Sequence, residues 1–448
     1  MLKEIQIKNF KCLKDTGKLE IKPLTFLVGP NSSGKTSLFQ FLLALRQTTQ
    51  CQDYDYPLIL QDYIDLGSFK DLIYKHNESN ELEINLLFEG MRGKEIVKRK
   101  YSYIFNLLKV RRAGKAGSKI FLKKVSYQGP FVFFEIVKPN DGDKEDPEGT
   151  ITAILKESKY KNVNIEIGKK PRTQYFVKKF IAPNELIGKE FDCKIGHFFR
   201  VMAVKGDIFP PSFYEISIEI EKFFSTLFHI GPLREEPQRV YTGAGIIPKD
   251  VGKTGKWSVD ALLVETEAQQ KAKLWLEKFG IASDISIKEL RKGSKRYEII
   301  LKDIHTGVDV NLSDVGFGTS QVLPIIIESY IVPDQSTILL EQPEIHLHPR
   351  AQAMMGELLA DVIRNSKKQF IIETHSDLIL AKVCTLVARG DISTDNLIIY
   401  YFDPKSTGTD IIKIDINKDG QYENFPVGFF EERYEEAMKK AEIVLGRH

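Results

Sequence analysis

Residues 29–36 read GPNSSGKT, a glycine, four residues, then Gly34-Lys35-Thr36. This spacing carries a definite chemistry. Gly29 and Gly34 allow tight backbone geometry, so consecutive N–H groups can turn inward onto phosphate oxygens. The loop follows an apolar run, LTFLV, and leads into another, FQFLLAL, so the phosphates would meet the positive end of a helix. An ammonium at Lys35 suits β- and γ-phosphates, and a hydroxyl at Thr36 suits Mg²⁺. The expected lining is Gly29, Asn31, Ser32, Ser33, Gly34, Lys35, Thr36 and Ser37.

Three further groups follow in order. Residues 312–321, LSDVGFGTSQ, form a Ser- and Gly-containing turn before an apolar helix. Residues 337–343, TILLEQP, end an apolar strand in an acid, and ETHS at 373–376 ends the next strand in a histidine. Glu341 lies 28 residues after Ser313, and His375 lies 34 residues after Glu341. A phosphate loop alone leaves the class of nucleotide hydrolase open; the order of these groups narrows it.

With those motifs in place, the sequence resembles the ABC ATPase superfamily on the branch with RecF, SMC and the overcoming-lysogenization-defect (OLD) ATPases. The wording LSDVGFGTSQVLP and ILLEQPEIHLHP is most similar to stand-alone OLD-like ATPases of bacteria. The resemblance covers residues 1–90 and 230–448. It implies an ATP- and Mg²⁺-binding head that sandwiches nucleotide in a homodimer or higher oligomer. Gly29 to Thr36 would form the Walker A loop. Ser313, Gly316 and Gly318 would form the signature that meets the other protomer's γ-phosphate. Glu341 would be the Walker B acid, holding Mg²⁺ through water. His375 would be the switch histidine. Gln342 stands where the usual catalytic Glu sits, and Leu347-His348 stands where the D-loop Leu-Asp sits, so hydrolysis is expected to be slow.

The elements that must position these groups alternate strand and helix. Strands are expected over 3–10 and 18–28, a helix from about Gly34 with Leu38, Phe39, Leu42, Leu43 and Leu45 buried, and a strand over 81–88. Beyond 230, STILLE, QFIIET and NLIIYYF are apolar runs of parallel-strand type, with helices from near Pro349 and Ser376. A helix over 261–279 precedes the strand RYEIILKDI. The expected fold is α/β: an ABC-ATPase head, a mixed sheet flanked by helices, split by a largely β or α+β insertion. The boundaries are 1–90 and 231–448 for the head and 91–230 for the insertion, whose acidic loop Asp141–Glu148 is the segment expected to move.

Composition bounds the rest. The 448 residues are 42% hydrophobic and 28% charged, with a net charge of +3, too small to imply a polyanion partner, so any basic patch must be local. The most apolar stretch, LPIIIESYIVP, is short and interrupted by Glu328, so no membrane partner is expected. Four scattered cysteines, without a Cys-x-x-Cys pair, fit a reducing cytoplasm.

Charge is concentrated locally. Arg92–Lys124 holds twelve Lys/Arg against one acid, Glu95, with Tyr101, Tyr103 and Phe105 interspersed. Two readings stand: a surface for nucleic acid or an acidic partner, with the aromatics stacking on bases, or a solvated β-module whose lysines protect strand edges. The Q-loop falls on Gln61, with Gln47, Gln50 and Gln52 competing. Asp415–Gly420 mimics the start of a calcium loop but has Pro426 at its twelfth position, so it reads as a turn. Only 73 residues follow His375, too few for the Toprim domain of OLD nucleases, so no nuclease chemistry is expected. The functional expectation is an ATP-dependent sensor or scaffold for a separately encoded effector, in antiphage defence. The alternatives are a RecF-like ATPase that clamps duplex DNA and a transporter motor domain.

Overall fold

The computed structural model of the chain describes residues 1–51, 57–92, 95–112, 115–129, 133–137, 165–170, 174–180, 192–195, 201–205, 219–316, 318–424 and 426. The acidic loop Asp141–Glu148, Gln52, Phe317 and the tail beyond Pro426 lie outside these residues. Two compact units form. One comprises residues 1–21, 36–225 and 404–410; the other comprises 22–35, 226–403 and 411–448.

The second unit is built on a six-stranded sheet in the order Leu227–Ile230, Thr337–Glu341, Gln369–Glu373, Leu24–Val28, Leu397–Lys405, Gly408–Ile414. The first five are parallel. Every residue of Leu24–Val28, Thr337–Glu341 and Gln369–Glu373 is buried, as expected for continuous apolar runs covered on both faces. The helices Gly318–Ile331, Pro349–Asn365 and Asp377–Ala388 pack their apolar residues into the same core, which also takes in Phe26, Trp275, Leu340 and Ile372.

Two of these helices start where the sequence places them, for visible reasons. Pro349 suits a first helical position, and the preceding His348 caps it, its Nδ1 accepting from Arg350 N at 3.3 Å. Ser376 Oγ caps the next helix by accepting from Ile379 N at 3.2 Å. The helix expected over 261–279 is instead two, Ser258–Val264 and Thr266–Lys278, with Glu265 extended between them (φ −107°, ψ 99°). The Gln269 amide donates to the Leu262 carbonyl and so satisfies an end of the first helix. A smaller antiparallel sheet of Tyr241–Thr242, Arg296–Asp303, Ala282–Glu289 and Asp309–Asn311 leads into residues 312–318.

The first unit centres on an antiparallel sheet in the order Leu13–Asp15, Leu2–Phe10, Leu82–Arg92, Glu95–Arg112, Lys115–Gln128, Phe133–Val137, with Leu19–Glu20 also on Leu2–Phe10. The strands on either side of residue 91 thus share one sheet. Two separate ladders pair Ile165–Lys170 with Gln174–Phe180 and Asp192–Ile195 with Val201–Lys205. The helix Lys35–Gln50 buries Leu38, Phe39, Leu42, Leu43 and Leu45 as expected, and Phe41 meets Phe10 edge-on at 4.9 Å.

The aromatic half of the nucleic-acid reading fails here. Tyr101, Tyr103 and Phe105 are fully buried and cannot stack on bases. They alternate along one strand, so one face of the sheet takes all three inward. Tyr101 packs edge-on against Phe88 at 5.5 Å. Arg99 is committed too: its Nη1 donates to Glu219 Oε1 at 2.8 Å. Lys123 is bonded to Glu81. Among the described residues no helix is long and apolar enough to cross a membrane.

Candidate functional site

The site is assembled at the C-terminal ends of neighbouring parallel strands, where open α/β sheets bind ligands. Leu24–Val28 feeds the phosphate loop, Gln369–Glu373 feeds His375, and Thr337–Glu341 carries Glu341. Parallel register sets Glu341 opposite Glu373, and Glu373 opposite Leu27.

The loop backbone takes conformations that its residue types permit. Gly29 has φ +139°, Ser32 +60° and Gly34 +102°. Gly29 runs so close to the strand Leu397–Lys405 that a Cβ there would lie 2.5 Å from Phe402 O. Lys35 is 2% exposed. Its ammonium donates to the carbonyls of Gly29 at 2.9 Å and Pro30 at 2.7 Å, with Ser33 Oγ at 3.5 Å. Burial lowers its pKa, opposed by the carboxylates of Glu373 and Glu344. A buried cation held by neutral carbonyls can exchange them for the oxygens of a polyanion. Thr36 and Ser37 follow at once in the first turn of the helix Lys35–Gln50.

Glu341 is buried, and its Oε1 accepts from His229 Nε2 at 2.7 Å. A carboxylate only accepts, so the imidazole carries its proton on Nε2. The Glu341 carbonyl accepts from Arg234 Nη2 at 2.9 Å. Arg234 Nη1 also lies 3.4 Å from the carbonyl of Gln342 and 3.4 Å from Gln321 Oε1. Burial pulls the Arg234 pKa down to about 10 against the fields of Glu344 and Glu341. Gln342 has φ +43°, and its N–H donates to Glu373 O at 2.8 Å, which turns the chain sharply off the strand.

Glu344 joins two loops. Its Oε2 accepts from Thr374 Oγ1 at 2.8 Å and its Oε1 from His375 N at 2.6 Å. Burial nevertheless raises its pKa above the ordinary carboxyl value. His375 is an exposed residue, yet desolvation and then the Lys35 ammonium lower its pKa. Ser376 Oγ donates to Gln352 Oε1 at 2.7 Å, and Gln352 Nε2 donates to Leu347 O at 3.0 Å, bracing the same two loops.

The Ser313 hydroxyl donates to Asn311 Oδ1 at 2.9 Å, and Asn311 also caps the short turn Leu312–Asp314. A Cβ on Gly316 would meet nothing within 4 Å among the described residues, while one on Gly318 would stand 3.4 Å from His346 O. The residues flagged from sequence therefore fall into two groups: the phosphate loop with Glu341, Gln342 and His375 at the strand ends, and Ser313, Gly316 and Gly318 on the turn before the helix Gly318–Ile331.

His229 and Arg234 went unseen in the sequence. A single histidine in LFHI and a single arginine in GPLREE have no spacing to reveal them. His348 is accounted for as a helix cap. Of the Q-loop candidates, Gln47 is buried and ties its own loop, donating to Ile59 O at 2.8 Å and accepting from Ile64 N at 3.0 Å; Gln61 is exposed. Asp415–Gly420 is a turn, with Asn417 Oδ1 accepting from Asp419 N at 3.0 Å and Gln421 N at 2.9 Å.

Comparison with known proteins identifies a family. A family model described as an AAA ATPase domain matches residues 1–200 and 260–380, well over half of the chain. The chain belongs to the AAA ATPase domain family. Forty residues are 52% identical to an OLD nuclease of Thermus scotoductus, covering 9% of this chain and 7% of that protein. Ninety-five residues are 30% identical to the DNA replication and repair protein RecF of Bacillus cytotoxicus, covering 21% and 25%. The matches thus span a quarter or less of these relatives. Among solved structures, the SMC head domain from Thermotoga maritima aligns over 93% of this chain and 99% of its own, with 11% identity and a TM-score of 0.42. An Smc head domain bound to the C-terminal domain of ScpA, derived from Pyrococcus furiosus, aligns over 99% of each with 10% identity and a TM-score of 0.43.

Proposed function

We propose that this ATPase binds ATP with Mg²⁺, closes as a dimer around the nucleotide, hydrolyses it slowly, and acts as a sensor or scaffold for a separately encoded effector in antiphage defence. The observation that carries the ATP-handling part is the buried Lys35 ammonium, held by the loop's own Gly29 and Pro30 carbonyls at the strand ends. The domain reading goes with it: a head formed by 1–90 and 231–448 around a module at 91–230.

Gly29, Asn31, Ser32, Ser33, Gly34 and Ser37 line the phosphates, and Lys35 exchanges its loop carbonyls for phosphate oxygens. The donor chemistry fits Mg²⁺, which takes oxygen ligands, one or two from protein and the rest from phosphates and water. Thr36 would supply a hydroxyl. Glu341 would hold the ion through water with a carboxylate whose Oε2 has no hydrogen bond among the described residues. When bound, the ion neutralises charge developing on the phosphate oxygens. His375 places a neutral ring edge near the γ-phosphate, and Ser313 with Gly316 and Gly318 meets the nucleotide of the other protomer.

Slow turnover follows from Gln342. Its amide orients the attacking water but cannot take a proton, and general-base catalysis is worth roughly 10²–10⁴-fold. Glu344 is the nearest substitute by sequence, but both of its oxygens are engaged by the 374–375 loop. That supports a positioning role for Glu344. A slow enzyme holds its closed state, which suits a switch.

Steady-state hydrolysis by wild type, Gln342→Glu and Glu344→Gln tests this reading. A clear gain from Gln342→Glu and little loss from Glu344→Gln is expected. A fast wild type crippled by Glu344→Gln refutes it. The RecF match supports a second reading, direct clamping of duplex DNA. Duplex binding that weakens steeply with salt favours that reading.

A further inference from the structure

His229 sits on the strand Leu227–Ile230, at one edge of the parallel sheet, and its side chain is 1% exposed. Strand register explains its reach. His229 pairs with Leu339, so Glu341, two residues on, projects from the same face of the neighbouring strand. The imidazole crosses this diagonal and donates Nε2–H to Glu341 Oε1 at 2.7 Å. Five residues later the same segment returns to the same residue, where Arg234 Nη2 donates to the Glu341 carbonyl at 2.9 Å. The acid is therefore held at both ends, side chain and main chain, by one short piece of chain.

We propose that His229 is a positioning residue that fixes the Glu341 carboxylate for the divalent cation. This rests on the reading of Glu341 as the metal-holding acid. One carboxylate oxygen is committed to the imidazole, and the other has no hydrogen bond among the described residues. A glutamate without that anchor has three side-chain torsions to immobilise when the cation binds, and that ordering is charged against affinity. Hydrogen-bond partners behind metal ligands set ligand orientation, and removing one typically weakens metal binding by about 10–100-fold. The Arg234 contact holds the main chain on which the carboxylate is carried, so the His229 bond is the remaining degree of control.

Two amides separate this role from simple packing. In His229→Gln the side-chain nitrogen reaches the place of Nε2 and can still donate. In His229→Asn the amide stops short of it. The full-length chain, with a non-hydrolysable ATP analogue bound, is titrated with Mn²⁺ and followed by electron paramagnetic resonance. Analogue affinity is measured separately in EDTA, and melting confirms that each variant is folded. His229→Asn should bind Mn²⁺ about 10–100-fold more weakly, His229→Gln should recover most of the loss, and metal-free nucleotide affinity should stay at the wild-type value. Glu341→Gln is measured alongside. If Glu341→Gln weakens Mn²⁺ binding and His229→Asn does not, the positioning role is overturned while Glu341 keeps its assignment. If Glu341→Gln also binds Mn²⁺ like wild type, the assignment of Glu341 itself falls. Equal losses from Asn and Gln also overturn the role, because packing and not the hydrogen bond would then be responsible.

Discussion

Replacing Gly29 by alanine tests the backbone of the phosphate loop without touching any charge. The added Cβ would stand 2.5 Å from Phe402 O, 3.2 Å from its N and 3.3 Å from its C. These are main-chain atoms of a strand paired in parallel to Leu24–Val28, with Tyr401 opposite Val28, so they cannot rotate away. Forcing atoms into such a space costs roughly 1–3 kcal/mol. The φ of +139° lies in a region open essentially to glycine alone, which adds roughly 1–3 kcal/mol. The sum, roughly 2–6 kcal/mol, is a large part of a typical stability of about 5–15 kcal/mol. At about 2–4 °C per kcal/mol for a unit of this size, melting should fall by several degrees at least. ATP affinity should fall with it, because the displaced carbonyl is one of those holding Lys35. Gly307→Ala is the control: φ is +68° with nothing within 4 Å, so only a left-handed penalty of about 1–2 kcal/mol applies. Melting curves and calorimetric ATP titrations of both variants are the assay. Equal small losses from the two substitutions would refute the close approach at Phe402.

Two other outcomes follow. Burial and Lys35 hold the His375 pKa below the usual imidazole range, so as pH falls the unfolded chain takes this proton first. The stability contributed by the neutral ring is therefore fully present above about pH 6.5 and is lost as pH falls through the folded value; an NMR titration of the ring should show a midpoint below 6.5, and one above it contradicts the placement. Arg99→Glu should destabilise the first unit, since it sets a carboxylate against the partly buried Glu219, whereas exposed Lys98→Glu should melt like wild type; equal melting of the two would show that the Arg99–Glu219 pair is unimportant.

The phosphate loop and the strands that feed it were legible because each depends on local pattern: glycines at fixed spacing, apolar runs long enough for one strand, and a Pro349 or Ser376 where a helix can start. The helix break at Glu265 was not, because it is set by a side chain four residues on, Gln269, reaching back to the Leu262 carbonyl. The burial of the basic stretch's aromatics was not legible, although their alternation was. Alternation says that Tyr101, Tyr103 and Phe105 share a face, and only the sheet says that this face is covered. His229 and Arg234 reach Glu341 across more than 100 residues of sequence, so nothing local marks them.

The central claim, that Lys35 serves bound ATP, is tested most directly by calorimetry of the full-length chain with ATP and Mg²⁺, wild type against Lys35→Ala. A hydrogen bond to a charged group contributes roughly 1.5–3 kcal/mol, so affinity should drop by about 10–100-fold with folding intact. Unchanged affinity in a folded Lys35→Ala chain would contradict the account.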